Sequence, residues 1–165
     1  MRRAFTREPE AESPIELTPL AVDPHPNYVT PQGHARLLAR LADAEQRLSR
    51  VPEGAVESLL QRAHIGQEMR WLQSRIDSAI PIDPAAQPMG QVGFGSTVEL
   101  VDELGASFSY QIVGADEAEP EMGRVSWVSP LAKALLGARV GDHVLWERPA
   151  GELELKVLAI KPTRD

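Results

Sequence analysis

Ser129-Pro130-Leu131-Ala132-Lys133-Ala134-Leu135-Leu136-Gly137, with Gly141-Asp142 shortly after it, is the stretch from which the fold can be read. Ser129 is a strong helix N-cap. Pro130 fits the first helical position because its missing N–H would have no partner there, and Gly137 can take the left-handed conformation that ends a helix. The spacing predicts one short helix with Leu131, Ala134 and Leu135 on a shared face. On both sides, alternating apolar residues predict strands at 97–101, 107–113, 124–128, 143–147 and 152–160, separated by turn signals at Leu104-Gly105, Gly141-Asp142 and Ala150-Gly151. Phe108, Tyr110 and Ile112 share one face of their strand, as do Leu153, Leu155 and Val157. The C-terminal half therefore reads as α+β, a twisted, mostly antiparallel sheet half covered by the short helix.

Toward the N-terminus, Ile80-Pro81-Ile82-Asp83-Pro84-Ala85-Ala86-Gln87-Pro88 cannot continue a helix and is read, over 80–89, as a linker. Before it lie two helical patterns, and residues 27–79 are expected to form an antiparallel coiled-coil hairpin. The first opens at Thr30-Pro31, N-cap and first helical position, and carries a seam of Leu37, Leu41, Ala44, Leu48 and Val51. Pro52-Glu53-Gly54 reverses the chain. The second places Val56, Leu59, Ala63, Met69, Leu72 and Ile76 on one stripe, with Gly66 as a gap where a bend is expected. Residues 1–26 are rich in Pro and Glu and poor in large apolar groups, the composition of a disordered tail.

Charge and composition narrow the function. The net charge is −7, divided as 3 basic against 5 acidic residues in 1–30, 7 against 6 in 31–78, and 7 against 13 in 79–165. An acidic C-terminal domain is a poor general binder of nucleic acid, whose affinity comes from Lys and Arg neutralising phosphates; a protein partner is expected. No cysteine is present, which excludes disulfides, thiolate metal sites and cysteine nucleophiles. No signal peptide or membrane-length apolar run is visible, and a cytoplasmic, monomeric protein is expected. His25, His34, His64 and His143 show no metal-ligand spacing. Ser126 or Ser129 beside Asp142 and His143 has a simpler reading than a triad, since Ser129 caps a helix and Asp142 sits in a turn. Gly93-Phe94-Gly95 is not followed by a helix and so lacks the context of a phosphate loop. Phe94, Phe108, Tyr110, Trp127 and Trp146 are assigned to core and interface. Glu53 and Glu57, at the hairpin turn, have the bland reading of charges favoured by a helix N-terminus.

Together, Val92-Gly93-Phe94-Gly95, Val98-Glu99-Leu100, Tyr110-Gln111-Ile112-Val113-Gly114-Ala115-Asp116-Glu117, the Ser129–Gly137 stretch, Gly141-Asp142 and Pro149-Ala150-Gly151-Glu152 resemble the C-terminal domain of the GreA/GreB transcription elongation factors over about residues 90–160. Asn27-Tyr28-Val29-Thr30-Pro31-Gln32-Gly33 is similar to the opening of that family's hairpin. The resemblance implies an FKBP-like domain over 90–161 that docks on bacterial RNA polymerase at its secondary channel, with Asp116, Glu117, Ser129, Pro130, Leu131 and Ala132 as docking residues. It also implies a factor that is not itself an enzyme, has no cofactor of its own, and touches DNA or RNA only within the polymerase complex. In the family two acids at the hairpin tip help hold a magnesium ion shared with the polymerase, which activates water for cleavage of backtracked RNA. A gapless placement of the second helix puts Ala55 and Ser58 at those positions, with Glu53 two residues before the first and Glu57 one residue before the second as the candidate tip acids and metal ligands. The hairpin is also shorter than the family's, by about two heptads shared between the arms, each turn being worth about 5 Å of reach. Three readings follow: a factor that stimulates cleavage to rescue arrested complexes, a non-cleaving channel binder like the regulator of nucleoside diphosphate kinase branch, and, more remotely, an FKBP-like prolyl isomerase or chaperone module.

Overall fold

Thr30 and Ser129 behave as their sequence context dictates. The Thr30 hydroxyl accepts from the Gly33 N–H at 3.0 Å and starts helix α1, Pro31–Ser49; the Ser129 hydroxyl accepts from the Ala132 N–H at 3.2 Å and starts helix α3, Pro130–Leu135. Gly137 follows with φ 83°, the left-handed turn that lets its N–H reach the Val92 carbonyl at 2.9 Å. The computed structural model describes residues 24–162. The tail expected over 1–26 therefore lies outside the described residues except for its last three.

The chain enters through a two-residue strand β1, Tyr28–Val29, and runs out along α1 and back along α2, Val56–Ser78. It then forms β2, Ile80–Pro81, which pairs in parallel with β1 in the register Tyr28↔Ile80 and Val29↔Pro81. The two ends of the hairpin are thus zipped together where it leaves the domain. A single 3-10 turn at Pro84–Ala86 occupies the linker. The remainder is a five-stranded sheet of β3 (Thr97–Asp102), β4 (Ser107–Val113), β5 (Arg124–Ser126), β6 (His143–Trp146) and β7 (Leu153–Lys161), in the order β5-β4-β3-β7-β6. All pairs are antiparallel except β4 with β5, which the 3-10 turns Ala115–Glu117 and Pro120–Met122 allow to run parallel. The register of β3 against β7 shifts between Glu99 and Leu100, so β7 carries one extra residue at a bulge.

There are two cores. Under α3, Val98, Leu100, Ile112, Leu155 and Val157 are buried with Leu131, Ala132 and Leu135, and Phe108, Tyr110, Trp127 and Trp146 pack around them. In the hairpin, Leu37, Ala44 and Val51 of the expected α1 seam are buried, with Leu41 and Leu48 half buried. The expected α2 stripe requires correction. Val56 is 80% and Leu59 54% exposed, while Ser58, Ile65, Leu72 and Arg75 are buried, with Met69 and Ile76 packed beside them. The buried positions 58, 65 and 72 fall at heptad spacing with 75 beside them, and two of these four, Ser58 and Arg75, are polar. α2 passes Gly66 as one uninterrupted helix.

Candidate functional site

The candidate site residues fall in three places of this fold: the joint between hairpin and domain, the hairpin tip, and α3. The joint is built from Asn27, Thr30 and Arg75 on the hairpin side, at 5%, 1% and 3% exposure, and from the Ala115–Glu117 turn on the domain side. Arg75 donates through Nε to Asp116 Oδ2 at 2.6 Å and through Nη2 to Asn27 Oδ1 at 2.8 Å. Asn27 Nδ2 in turn donates to the Arg75 carbonyl at 2.8 Å and to Ser78 Oγ at 3.1 Å. One step away, the Glu117 carboxylate accepts from the Thr30 N–H and the Gly114 N–H, each at 3.0 Å, and from the Thr30 hydroxyl. The Thr30 hydroxyl thus donates to Glu117 while accepting from Gly33, using both capacities of one oxygen.

The backbone closes tightly around these groups. A Cβ on Gly33 would sit 2.0 Å from Glu117 Cδ, and one on Gly114 would sit 2.2 Å from the Tyr28 carbonyl oxygen. Tyr28 packs edge-on against Trp127 and Phe94, with ring centroids 4.9 and 6.1 Å away. Charge-assisted hydrogen bonds of this kind are stronger than neutral ones. They tie the base of the hairpin to the Ala115–Glu117 turn of the domain.

The docking residues expected from the sequence are placed differently from one another. Asp116 and Glu117 do not form a solvated acidic face; their carboxylates are engaged inside the chain by Arg75 and Thr30. Leu131 and Ala132 are 2% and 0% exposed and belong to the core face of α3. Of the residues expected on that face, Pro130 is exposed and Ser129 half buried, beside the exposed Lys133 and Leu136.

At the other end, about 28 Å along α1 and 35 Å along α2 at 1.5 Å per residue, the tip is open. Glu53 lies in the turn, Glu57 in the first turn of α2, and both are exposed. No ion pair among the described residues engages either, and no group of three or more His, Cys, Asp or Glu among those residues is placed to hold a metal ion. Ala55 occupies the N-cap of α2 and is exposed; Ser58 turns inward to the seam. What the tip presents instead is apolar: Val56, Leu59 and Leu60 at 80%, 54% and 44% exposure. Just behind it the arms are clamped. Arg47 of α1 donates to Glu68 of α2 and to Asp43, both at 2.9 Å, and these hydrogen bonds, that to Glu68 foremost, raise the guanidinium pKa above its ordinary value. Arg62 Nη2 donates to the Val51 carbonyl at 2.9 Å.

The joint is the part that reasoning from sequence missed. Its signal was present in Asn27, Thr30 and Arg75 as polar residues where a helix pair meets a domain, but their partners lie 41 to 87 residues away.

Among the described residues, no helix is long and apolar enough to cross a membrane. A family model described as "Transcription elongation factor, GreA/GreB, C-term" matches residues 87–162. The chain is similar to transcription elongation factor GreA of Pseudomonas syringae pv. tomato, 34% identical over 149 residues that cover 88% of this chain and 89% of the relative. It is also similar to GreA of Alkalilimnicola ehrlichii, 41% identical over 103 residues, 61% of this chain and 65% of that protein, so this match spans less than two thirds of the relative. A solved structure of GreA factor homolog 1 (Gfh1) of Thermus thermophilus is 28% identical and covers 83% of this chain and 99% of its own, with a TM-score of 0.40.

Proposed function

The chain belongs to the GreA/GreB family of transcription elongation factors, and we propose that it regulates elongation by binding RNA polymerase through residues 90–160 and laying its hairpin into the polymerase's secondary channel. The observation that supports this reading is the joint: Arg75 with Asp116, and Thr30 with Glu117, tie the base of the hairpin to the domain. A projection that must enter a narrow opening gains from being aimed in advance, since the ordering entropy is then met in folding and not in binding. The docking surface includes Ser129, Pro130 and the exposed outer side of α3. Nucleic acid is met only inside the complex, the factor acts as a monomer in the cytoplasm, and it supplies no nucleophile.

At the tip two readings part. If Glu53 and Glu57 reach the polymerase's magnesium, the factor stimulates cleavage of backtracked RNA. A specific observation favours the other outcome: the positions that correspond to the family's two acids hold Ala55 and the inward-turned Ser58, and the end of the finger exposes Val56 and Leu59, which supports a finger that obstructs the channel and competes with other occupants.

The experiment adds the purified chain to polymerase core and to a backtracked complex with magnesium. Co-purification with core is expected, and its absence at modest ionic strength removes the proposal. RNA shortening that is lost in the Glu53→Gln/Glu57→Gln variant assigns the cleaving role. No shortening by the native chain, with slowed elongation, assigns obstruction.

A further inference from the structure

Apart from the joint and the tip, one surface of the domain is apolar where the edge of its core meets exposed residues of the linker. Two cavities of about 390 and 460 Å3 lie side by side and share Gln87, Pro88, Gln91 and Phe94, so they form one groove along the linker. One half is walled by Tyr28, Phe94 and Trp127, with Leu136 at 38% exposure on its rim; the other exposes Met89 and Val140. Among the described residues lining either half none is charged, in a chain where charged residues make up 25%. A charged occupant would lose its water there and find no partner, which is costly. The groove fits a largely uncharged, apolar segment, and aromatic walls suit one containing proline, whose extended form is already ordered.

Such a segment is tethered at the mouth. The described chain begins at Pro24, and the ring of His25 already meets Trp127 edge-on with centroids 6.0 Å apart. Before that point the sequence is uneven. Residues 1–12 hold three Arg and three Glu, whereas residues 13–22 hold a single charge, Glu16, together with Ile15, Leu17, Leu20 and Val22 and the prolines Pro14 and Pro19. We propose that residues 14–22 of this chain occupy the groove, with their prolines and leucines against Tyr28, Phe94 and Trp127. Val22 lies three residues from His25, no more than about 11 Å of extended chain, so the segment is presented at an effective concentration in the millimolar range and needs little intrinsic affinity. A composition too poor in apolar groups to build a core of its own is still sufficient to fill a groove that exists. Bound there, the segment covers Trp127 and Leu136, on either side of the Ser129-Pro130 cap, and any outside molecule using them must displace it. The proposal does not depend on what the domain docks against.

The absence of cysteine makes the test clean. A nitroxide placed on the full-length chain through Glu16→Cys is expected to broaden the amide NMR signals of Gly93, Phe94, Trp127 and Gly137, most of their intensity returning when the nitroxide is reduced. Adding Leu17→Asp and Leu20→Asp is expected to abolish the broadening while leaving signals of β3 and β7 in place, which shows the fold intact. No broadening at the groove overturns the proposal, as does broadening that survives the two Asp substitutions, which would reflect the tether alone. Broadening seen only when spin-labelled chain is mixed with isotope-labelled chain also overturns it, assigning the groove to a second copy.

Discussion

The two ends of the hairpin are built on opposite terms. At its base, Arg75 is 3% exposed and bonded to Asp116 and Asn27, and Thr30 is 1% exposed and bonded to Glu117. At its tip, Glu53 and Glu57 stand in water and Val56 is 80% exposed. The base is where stability and direction are set, and the tip is where contact with something outside the molecule is left to be made. If so, substitutions at the base should be read in unfolding experiments and those at the tip only in the presence of a partner.

The strongest way to break the contrast is Arg75→Met. It leaves Asp116, whose side chain is 14% exposed, without its cation, and loss of one member of a buried pair costs about 3–5 kcal/mol. Urea unfolding should show a correspondingly lower midpoint. The double variant Arg75→Met/Asp116→Leu should lose less than Arg75→Met alone, because no unpaired charge remains. Equal losses in both would mean that the pair does not hold the joint. Gly114→Ala probes the same place by volume. Its φ of −67° is open to any residue, so the effect is steric: the new methyl must push the Tyr28 carbonyl at 2.2 Å, an overpacking cost of about 1–3 kcal/mol. Thr30→Ala removes an N-cap and one of the three donors to Glu117, a loss of about 0.5–2 kcal/mol, measurable as a shift in thermal midpoint.

Which parts of this were legible in advance follows from how local each cause is. Thr30-Pro31 and Ser129-Pro130 declare helix starts within two residues, and both helices begin there. The strands were found because their alternation is a property of neighbouring side chains, and ends moved by a residue or two where pairing, not pattern, decides. The α2 seam was misread because Val56 and Leu59 look like core and Ser58 and Arg75 do not; only the path of α1 decides which face is covered. Asp116 and Glu117 show no internal role in the sequence because nothing nearby in it pairs with them. Their partners arrive from the hairpin's base through the tertiary fold. Glu53 and Glu57 stand at an exposed turn, but place alone does not give a carboxylate a metal.

The smallest expected change in stability is also the one that most sharpens the comparison. Val56→Ser and Leu59→Ser together should alter unfolding by no more than about 0.5 kcal/mol, the usual range for surface positions, since neither side chain contributes to the hairpin core. If the tip obstructs the channel by apolar contact, the same double variant should bind polymerase through its domain nearly as tightly as the native chain while slowing elongation less. Affinity set by the domain and effect set by the tip would then separate in one protein. Were elongation slowed to the same degree by the variant, the exposed leucine and valine would have no part in the effect, and the charged groups Glu53, Glu57 and Arg50 around the turn would be the remaining contacts.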